Sequence, residues 1–321
     1  MSDASQRVSG PFPIRPEDLP ALNVLFSDAF SDRYRRDGMA GVRVPPLNPS
    51  IWRFAIEGAG EGAMLWRDGL GHIAAFNLAH ISGVEGWMGP LAVREDLQGR
   101  GIGRTIVRAA IEHLREAGCR VIGLETMPRT MDNIGFYAGL GFVPGRLTIT
   151  LTAEGTPVTD RRPELLSGFG GVERAGLIEQ CRLLADAVRP GVDFTRELAL
   201  TLRLGIGDVV LLRNDAGFVE GFALFHDAPL VEGRMREEIR VLKCVLAEEV
   251  LMARMAEALS AQARISGALR CAIRLQGEYT AAFRTLVARG ARVRWTDLRM
   301  SLSGFEERPP VRGLLLSNWE I

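Results

Sequence analysis

Leu91-Ala92-Val93-Arg94-Glu95-Asp96-Leu97-Gln98-Gly99-Arg100-Gly101-Ile102-Gly103-Arg104 is the stretch on which the reading of this chain turns. An apolar strand runs into a glycine-rich turn, and the turn opens a helix. Ile102, Ile106, Val107, Ala110, Ile111 and Leu114 recur on one helical face. Gly101 and Gly103 remove side chains where a ligand would need to approach the backbone. The first N–H groups of a helix lack partners and carry the positive end of its dipole, so the turn has the makings of an anion site. A turn that only redirects the chain is the plain alternative. A dinucleotide fingerprint, with Glu125 ending the next strand as the ribose acid, fits poorly. Five residues separate strand and glycines, and Arg104 stands where that motif needs Gly or Ala.

Outward from this stretch, Ile14–Phe30 reads as a short strand and a helix starting at Pro16-Glu17-Asp18, and Ser50–Glu57 as a second helix. Ala63–Arg67 and His72–Ala79 form strands around the turn Asp68-Gly69-Leu70-Gly71, and Trp87–Val93 is the next strand. The helix from Gly101 to Ala117 leads to a strand at Arg120–Glu125, a helix at Asp132–Leu140 and a strand at Leu147–Leu151. A Gly/Pro/Thr/Arg-rich segment over 153–170 reads as a linker. The pattern then recurs. Val209–Arg213, the turn Asn214-Asp215-Ala216-Gly217 and Phe218–His226 repeat strand, turn and strand. Ile239–Leu246, a helix from Glu248 to Ala263, Leu269–Leu275, a helix at Tyr279–Ala288 and Val293–Leu302 follow. A repeat this long predicts two similar domains, residues 1–152 and 171–321. Meander, crossover, helix and strand give an α+β class with a mixed α/β sheet.

Composition narrows the function. Lys plus Arg equals Asp plus Glu at 39 each, which argues against a nucleic-acid partner. No apolar run is long enough for a membrane span, and the start of the chain, Met1–Pro13, lacks the pattern of a signal peptide. Cys119, Cys181, Cys244 and Cys271 stand alone, so no metal is expected, and lone thiols suit a reducing cytoplasm.

Gln98-Gly99-Arg100-Gly101-Ile102-Gly103 resembles the pyrophosphate motif of the GNAT acetyltransferases, R/Q-x-x-G-x-G/A, and Phe136-Tyr137-Ala138-Gly139-Leu140-Gly141-Phe142 resembles their second signature. The resemblance covers roughly residues 12–152. It implies transfer of the acetyl group of acetyl-CoA to a primary amine of a small molecule or peptide, by direct attack on the thioester. The same motifs in a non-catalytic acyl-CoA sensor or scaffold are the alternative. It implies cofactor contacts at Leu91, Ala92, Val93, Gln98, Gly99, Arg100, Gly101, Ile102, Gly103 and Arg104, and Tyr137 as the acid that protonates the leaving thiolate. Many members carry Asn seven residues before this Tyr; here that position is Thr130, and Asn133 is the substitute. Pro90 agrees with a strand that splays from its parallel neighbour to admit the pantetheine arm, Gly89-Pro90 forming a bulge. The alternative is a strand that begins at Leu91. Glu125 and Glu85 are candidate general bases, and Asp32 and Tyr34 candidate acceptor contacts. In the second copy Ala247-Glu248-Glu249-Val250 replaces the glycine turn and Leu286 stands for Tyr137, so it resembles a degenerate domain. Such a domain would complete the acceptor pocket or replace a homodimer partner, and the chain would be a monomer or a homodimer.

Overall fold

The computed structural model describes residues 7–157 and 162–319; residues 1–6 and part of the expected linker, 158–161, lie outside the described residues. The first half contains β1 (Val8–Pro13), α1 (Leu19–Arg36), α2 (Pro49–Ala59), β2 (Ala63–Asp68), β3 (Ile73–Ser82) and β4 (Glu85–Val93). It continues through α3 (Ile102–Glu116), β5 (Val121–Thr126), α4 (Met131–Ala138) and β6 (Phe142–Glu154). The second half has β7 (Glu164–Leu165), α5 (Gly171–Val188), α6 (Thr195–Leu204), β8 (Gly207–Arg213), β9 (Val219–His226) and β10 (Glu238–Leu246). After these come α7 (Met252–Ile265), β11 (Arg270–Gln276), α8 (Thr280–Ala288), β12 (Arg292–Leu302) and β13 (Leu314–Ser317).

All thirteen strands join one mixed sheet, ordered β1-β2-β3-β4-β5-β12-β6-β11-β10-β9-β8-β7, with β13 beside β10. The sheet therefore does not part at the expected linker. Its order is a palindrome in which each half has given its last long strand to the other. β12 lies between β5 and β6, and β6 lies between β12 and β11. The parallel pairs β4–β5 and β10–β11 are bridged by α3 and α7, as a parallel crossover requires. Helices cover both faces. Phe76 and Leu78 of β3 pack with Leu22, Leu25 and Trp52 of α1 and α2, while Ala75 and Ala79 meet Ile106, Val107 and Ala110 of α3. In the second half α7 and α8 lie over one apolar cluster, and α5 and α6 over another. Strands covered on both sides read as nearly continuous apolar runs.

The repeat extends to turn chemistry. Asp68 accepts from the N–H groups of Leu70 and His72, both at 3.0 Å, and Gly71 takes φ +85°. Asn214 accepts from Ala216 and Phe218, both at 3.0 Å, and Gly217 takes φ +83°. Several features departed from the sequence reading: the first strand is Val8–Pro13 and ends before the expected Ile14, and β7 lies inside the expected linker. α1 runs to Arg36, beyond the expected Phe30. α5 and α6 fill a stretch given no elements, and β13 is too short to carry a period of its own.

Candidate functional site

β3 and β4 pair in register from Ser82↔Glu85 to Ala79↔Met88; the register then slips, and Asn77 faces Leu91. Gly89 and Pro90 together stand opposite Leu78, one residue in excess, so the expected bulge is present. On its other side β4 pairs with β5 only from Glu85↔Val121 to Met88↔Leu124. Beyond Met88 the two strands separate, and a cleft of about 300 Å³ opens between them. Leu91, Ala92 and Val93 form one wall; Leu124, Glu125 and Thr126 form the other.

Gln98 and Gly103 mark the outer end of the cleft. The Gln98 side chain donates to the Val93 carbonyl at 3.0 Å and so ties the turn to the strand. Gly99 and Gly101 take φ +75° and +83°, the left-handed region, and a Cβ at either would meet nothing within 4 Å. The backbone there is open to solvent, Gly101 being the residue that caps the start of α3. Gly103 sits against the Phe136 ring, 3.4 Å from where its Cβ would be, so the turn also packs on α4. Arg100 and Arg104 are exposed beside the turn. With Gly99, Gly101 and Ile102, they border the cleft without lining it.

Tyr137 and Asn133 reach the cleft from α4. Tyr137 is buried between Phe136 and Phe142, with centroids at 5.1 Å and 6.0 Å. Burial pushes its phenol well above the ordinary value, so it stays protonated through the physiological range. Thr130 does not face the cleft. It is buried and donates to Asp37 at 2.5 Å, and Asp37 is also paired with Arg33. These bonds fasten the start of α4 to the end of α1.

The two glutamates differ in place. Glu125 lines the cleft, but its carboxylate accepts from Thr148 at 2.5 Å, Arg274 at 2.5 Å and Arg299 at 3.0 Å. Burial alone would raise its pKa; the two guanidinium charges and these bonds outweigh that and hold it below the carboxylate norm. Glu85 is fully buried outside the cleft, where it accepts from Arg189 at 2.8 Å and from the Trp87 indole at 3.3 Å. A carboxylate sealed against an arginine away from the cleft is placed to hold structure.

Asp32 and Tyr34 both line the cleft. Burial opposes the Asp32 anion, but Arg35 and Arg36 overcome it and hold its pKa low; the Arg36 pair is 2.7 Å long. Tyr34 meets Trp295 edge-to-face at 6.2 Å. Trp295 and Asp297 come from β12, so the second half supplies a wall of the cleft, and Arg274 of β11 pairs with Asp297 at 3.0 Å. Sequence reading missed these three, because no local motif marks a side chain that strand pairing brings in from the other half of the chain.

The second half holds the matching place in another state. β10 pairs with β11 only from Glu238↔Arg270 to Val241↔Ile273, and the opened edge, Lys243–Leu246, is taken by β13. Tyr279 at the start of α8 donates to the Leu315 carbonyl at 2.9 Å and accepts from its N–H at 3.2 Å. A Cβ on Gly313 would lie 2.1 Å from the Leu246 carbonyl, so only glycine lets the chain enter there. Among the described residues no group of three metal-binding side chains occurs, and no helix is long and apolar enough to cross a membrane.

Residues 25–142 match the family model described as Acetyltransferase (GNAT) family. No curated protein matches the chain. Among solved structures, a putative acetyltransferase from Pyrococcus horikoshii is 17% identical with a TM-score of 0.66, covering 98% of this chain and 96% of that one. A tandem GNAT protein from the clavulanic acid biosynthesis pathway is 12% identical with a TM-score of 0.61, covering 92% and 98%. Saccharomyces cerevisiae N-myristoyltransferase with bound myristoyl-CoA is 9% identical with a TM-score of 0.64, covering 97% and 85%. With the splayed strands, the glycine turn and the matched segment together, the chain has the GNAT-superfamily acetyltransferase fold.

Proposed function

We propose that the chain is an N-acetyltransferase that binds acetyl-CoA in the cleft between β4 and β5 and passes the acetyl group to a primary amine. The observation that carries this reading is the conjunction of three parts in one cleft: the open glycine turn at its outer end, the separated strands along it, and Tyr137 on its inner wall. The pyrophosphate rests on the turn from Gln98 to Arg104, where the first N–H groups of α3 point outward with the helix dipole behind them. The pantetheine arm lies along Leu91–Val93.

In the transfer step the neutral amine attacks the thioester carbonyl, a C–N bond forms, and the C–S bond breaks. A backbone N–H near Leu91 or Ala92 faces the developing oxyanion. Tyr137, which burial holds neutral until then, gives its proton to the departing sulfur, and the proton that the attacking nitrogen sheds as the amide forms returns through water to the phenol. The ammonium form of the acceptor first loses a proton to water in the cleft. Glu125, held as a stable anion, serves better to orient the amine than to remove its proton.

Two GNAT-like halves, 1–152 and 171–321 joined by 153–170, make up this reading. Only the first binds acetyl-CoA. In the second, Glu248 and Glu249 replace the glycine turn and β13 fills the strand gap, so that half serves as a wall of the acceptor site. Thiol release from acetyl-CoA across a panel of amines tests the proposal. Acceptor-dependent release supports it. Binding of acetyl-CoA with no release above hydrolysis would instead indicate an acyl-CoA sensor or scaffold.

A further inference from the structure

A second cavity of about 340 Å³ adjoins the cleft and shares Met127 and Trp295 with it. Residues 127–129, from the loop between β5 and α4, form one side, and residues 293–296 of β12 form the other. It opens past the C-terminal end of β5, next to the Glu125–Met127 wall of the cleft. Its lining holds two charged residues, Arg129 and Arg294, both exposed, and no acid. The Nε of Arg294 donates to Thr152 at 3.1 Å, which fixes the base of the side chain and leaves its Nη groups outside that bond. Asp37 feels the Arg129 charge, yet its own carboxylate is engaged by Arg33 and Thr130. The acids Asp32, Glu125 and Asp297 all belong to the cleft itself. Those acids are each paired with arginines, whereas the lining of the vestibule sets two guanidiniums together with no carboxylate among them.

We propose that the acceptor is an amine that also carries an anionic group, a carboxylate or phosphate, which docks on Arg129 and Arg294 while the amine enters the cleft past Trp295. Guanidiniums suit such oxyanions because they offer paired, planar donors. A polyamine or lysine-rich peptide would instead set its extra cations between two like charges. The flat Trp295 face between cleft and vestibule accommodates the linking carbons.

This inference rests on the acetyltransferase reading, and matched acceptors separate the two. Thiol release is measured with amino acids against their amides, amino sugars against their phosphates, and a polyamine. The anionic member of at least one pair is expected to exceed its neutral partner roughly tenfold or more in kcat/KM, the pair that responds showing whether carboxylate or phosphate is preferred. In the Arg129→Gln, Arg294→Gln double variant the KM for that acceptor should rise by a similar factor, the preference should vanish, and the Kd for acetyl-CoA should stay unchanged. Both side chains are exposed, so folding is preserved. Turnover of neutral or polycationic acceptors at least equal to the anionic ones, or a preference that survives the double substitution, overturns this inference alone. Absence of turnover with every acceptor overturns the transferase reading and this inference with it.

Discussion

At the scale of single residues, burial sets the behaviour of three titratable rings, Tyr137, His80 and His226. Tyr137 loses its solvent and its phenol rises well above the norm. Tyr137→Phe keeps the packing against Phe136 and Phe142 but removes the proton. It should lower kcat by roughly 10²–10⁴-fold while the Kd for acetyl-CoA stays within about twofold. The wild-type profile should show no falling limb from this group below about pH 10, its reference value. Steady-state kinetics from pH 6 to 10 beside a thermal melt check this, and full activity in a folded variant would remove Tyr137 from the mechanism. His80 stacks on Trp319 at 4.9 Å, and burial, then the Lys243 charge, lowers its pKa to about 3. Unfolded, it takes up a proton near pH 6.5, so between the two values the unfolded chain binds more protons and stability falls as pH falls. His226 is shifted in the same direction by burial. Urea unfolding should show a loss of roughly 2 kcal/mol per such histidine between pH 7 and pH 5, with a shallower slope in His80→Gln. Equal stability at both pH values would contradict the burial of these rings. Tyr137 and the glycines were legible in the sequence because they sit in a local motif. The commitment of Glu125 to Arg274 and Arg299 was not, since it depends on which strand lies beside β5.

At the scale of elements, periodicity served well where a helix or strand has one buried face. α3 buries Ile106, Val107, Ala110, Ile111 and Leu114, while Ile102, the first residue its spacing marks, is half-buried. The bulge at Gly89-Pro90 followed from a proline in a paired strand. β13 escaped notice because three leucines and a serine after a Pro- and Gly-containing run carry no signal apart from their partner. Its place depends on Gly313, which takes φ +61° against the end of β10. Gly313→Val should clash with the Leu246 carbonyl, force β13 from β10 and cost about 3 kcal/mol. That loss should appear as a drop of several degrees in the thermal midpoint. An unchanged midpoint would mean that β13 is not seated there.

At the scale of the molecule, the repeat was visible as an order of elements, and the exchange of β6 and β12 was not. Strand order in a sheet is a matter of long-range pairing, which the pattern along one strand does not specify. The exchange has a consequence for dissection. A fragment of residues 171–321 lacks β6, so β11 and β12 keep unpaired edges that invite aggregation. It should be insoluble when expressed alone and recovered in a complex when coexpressed with residues 1–157. A soluble, monomeric fragment would contradict the exchanged sheet. The most direct test of the central claim is calorimetric titration of the whole chain with acetyl-CoA, beside Gly101→Glu. One site per chain is expected, because β13 fills the second gap, and that site should vanish in the folded variant, which sets a side chain and a negative charge at the start of α3. No binding, two sites per chain, or unchanged affinity in Gly101→Glu would contradict the account.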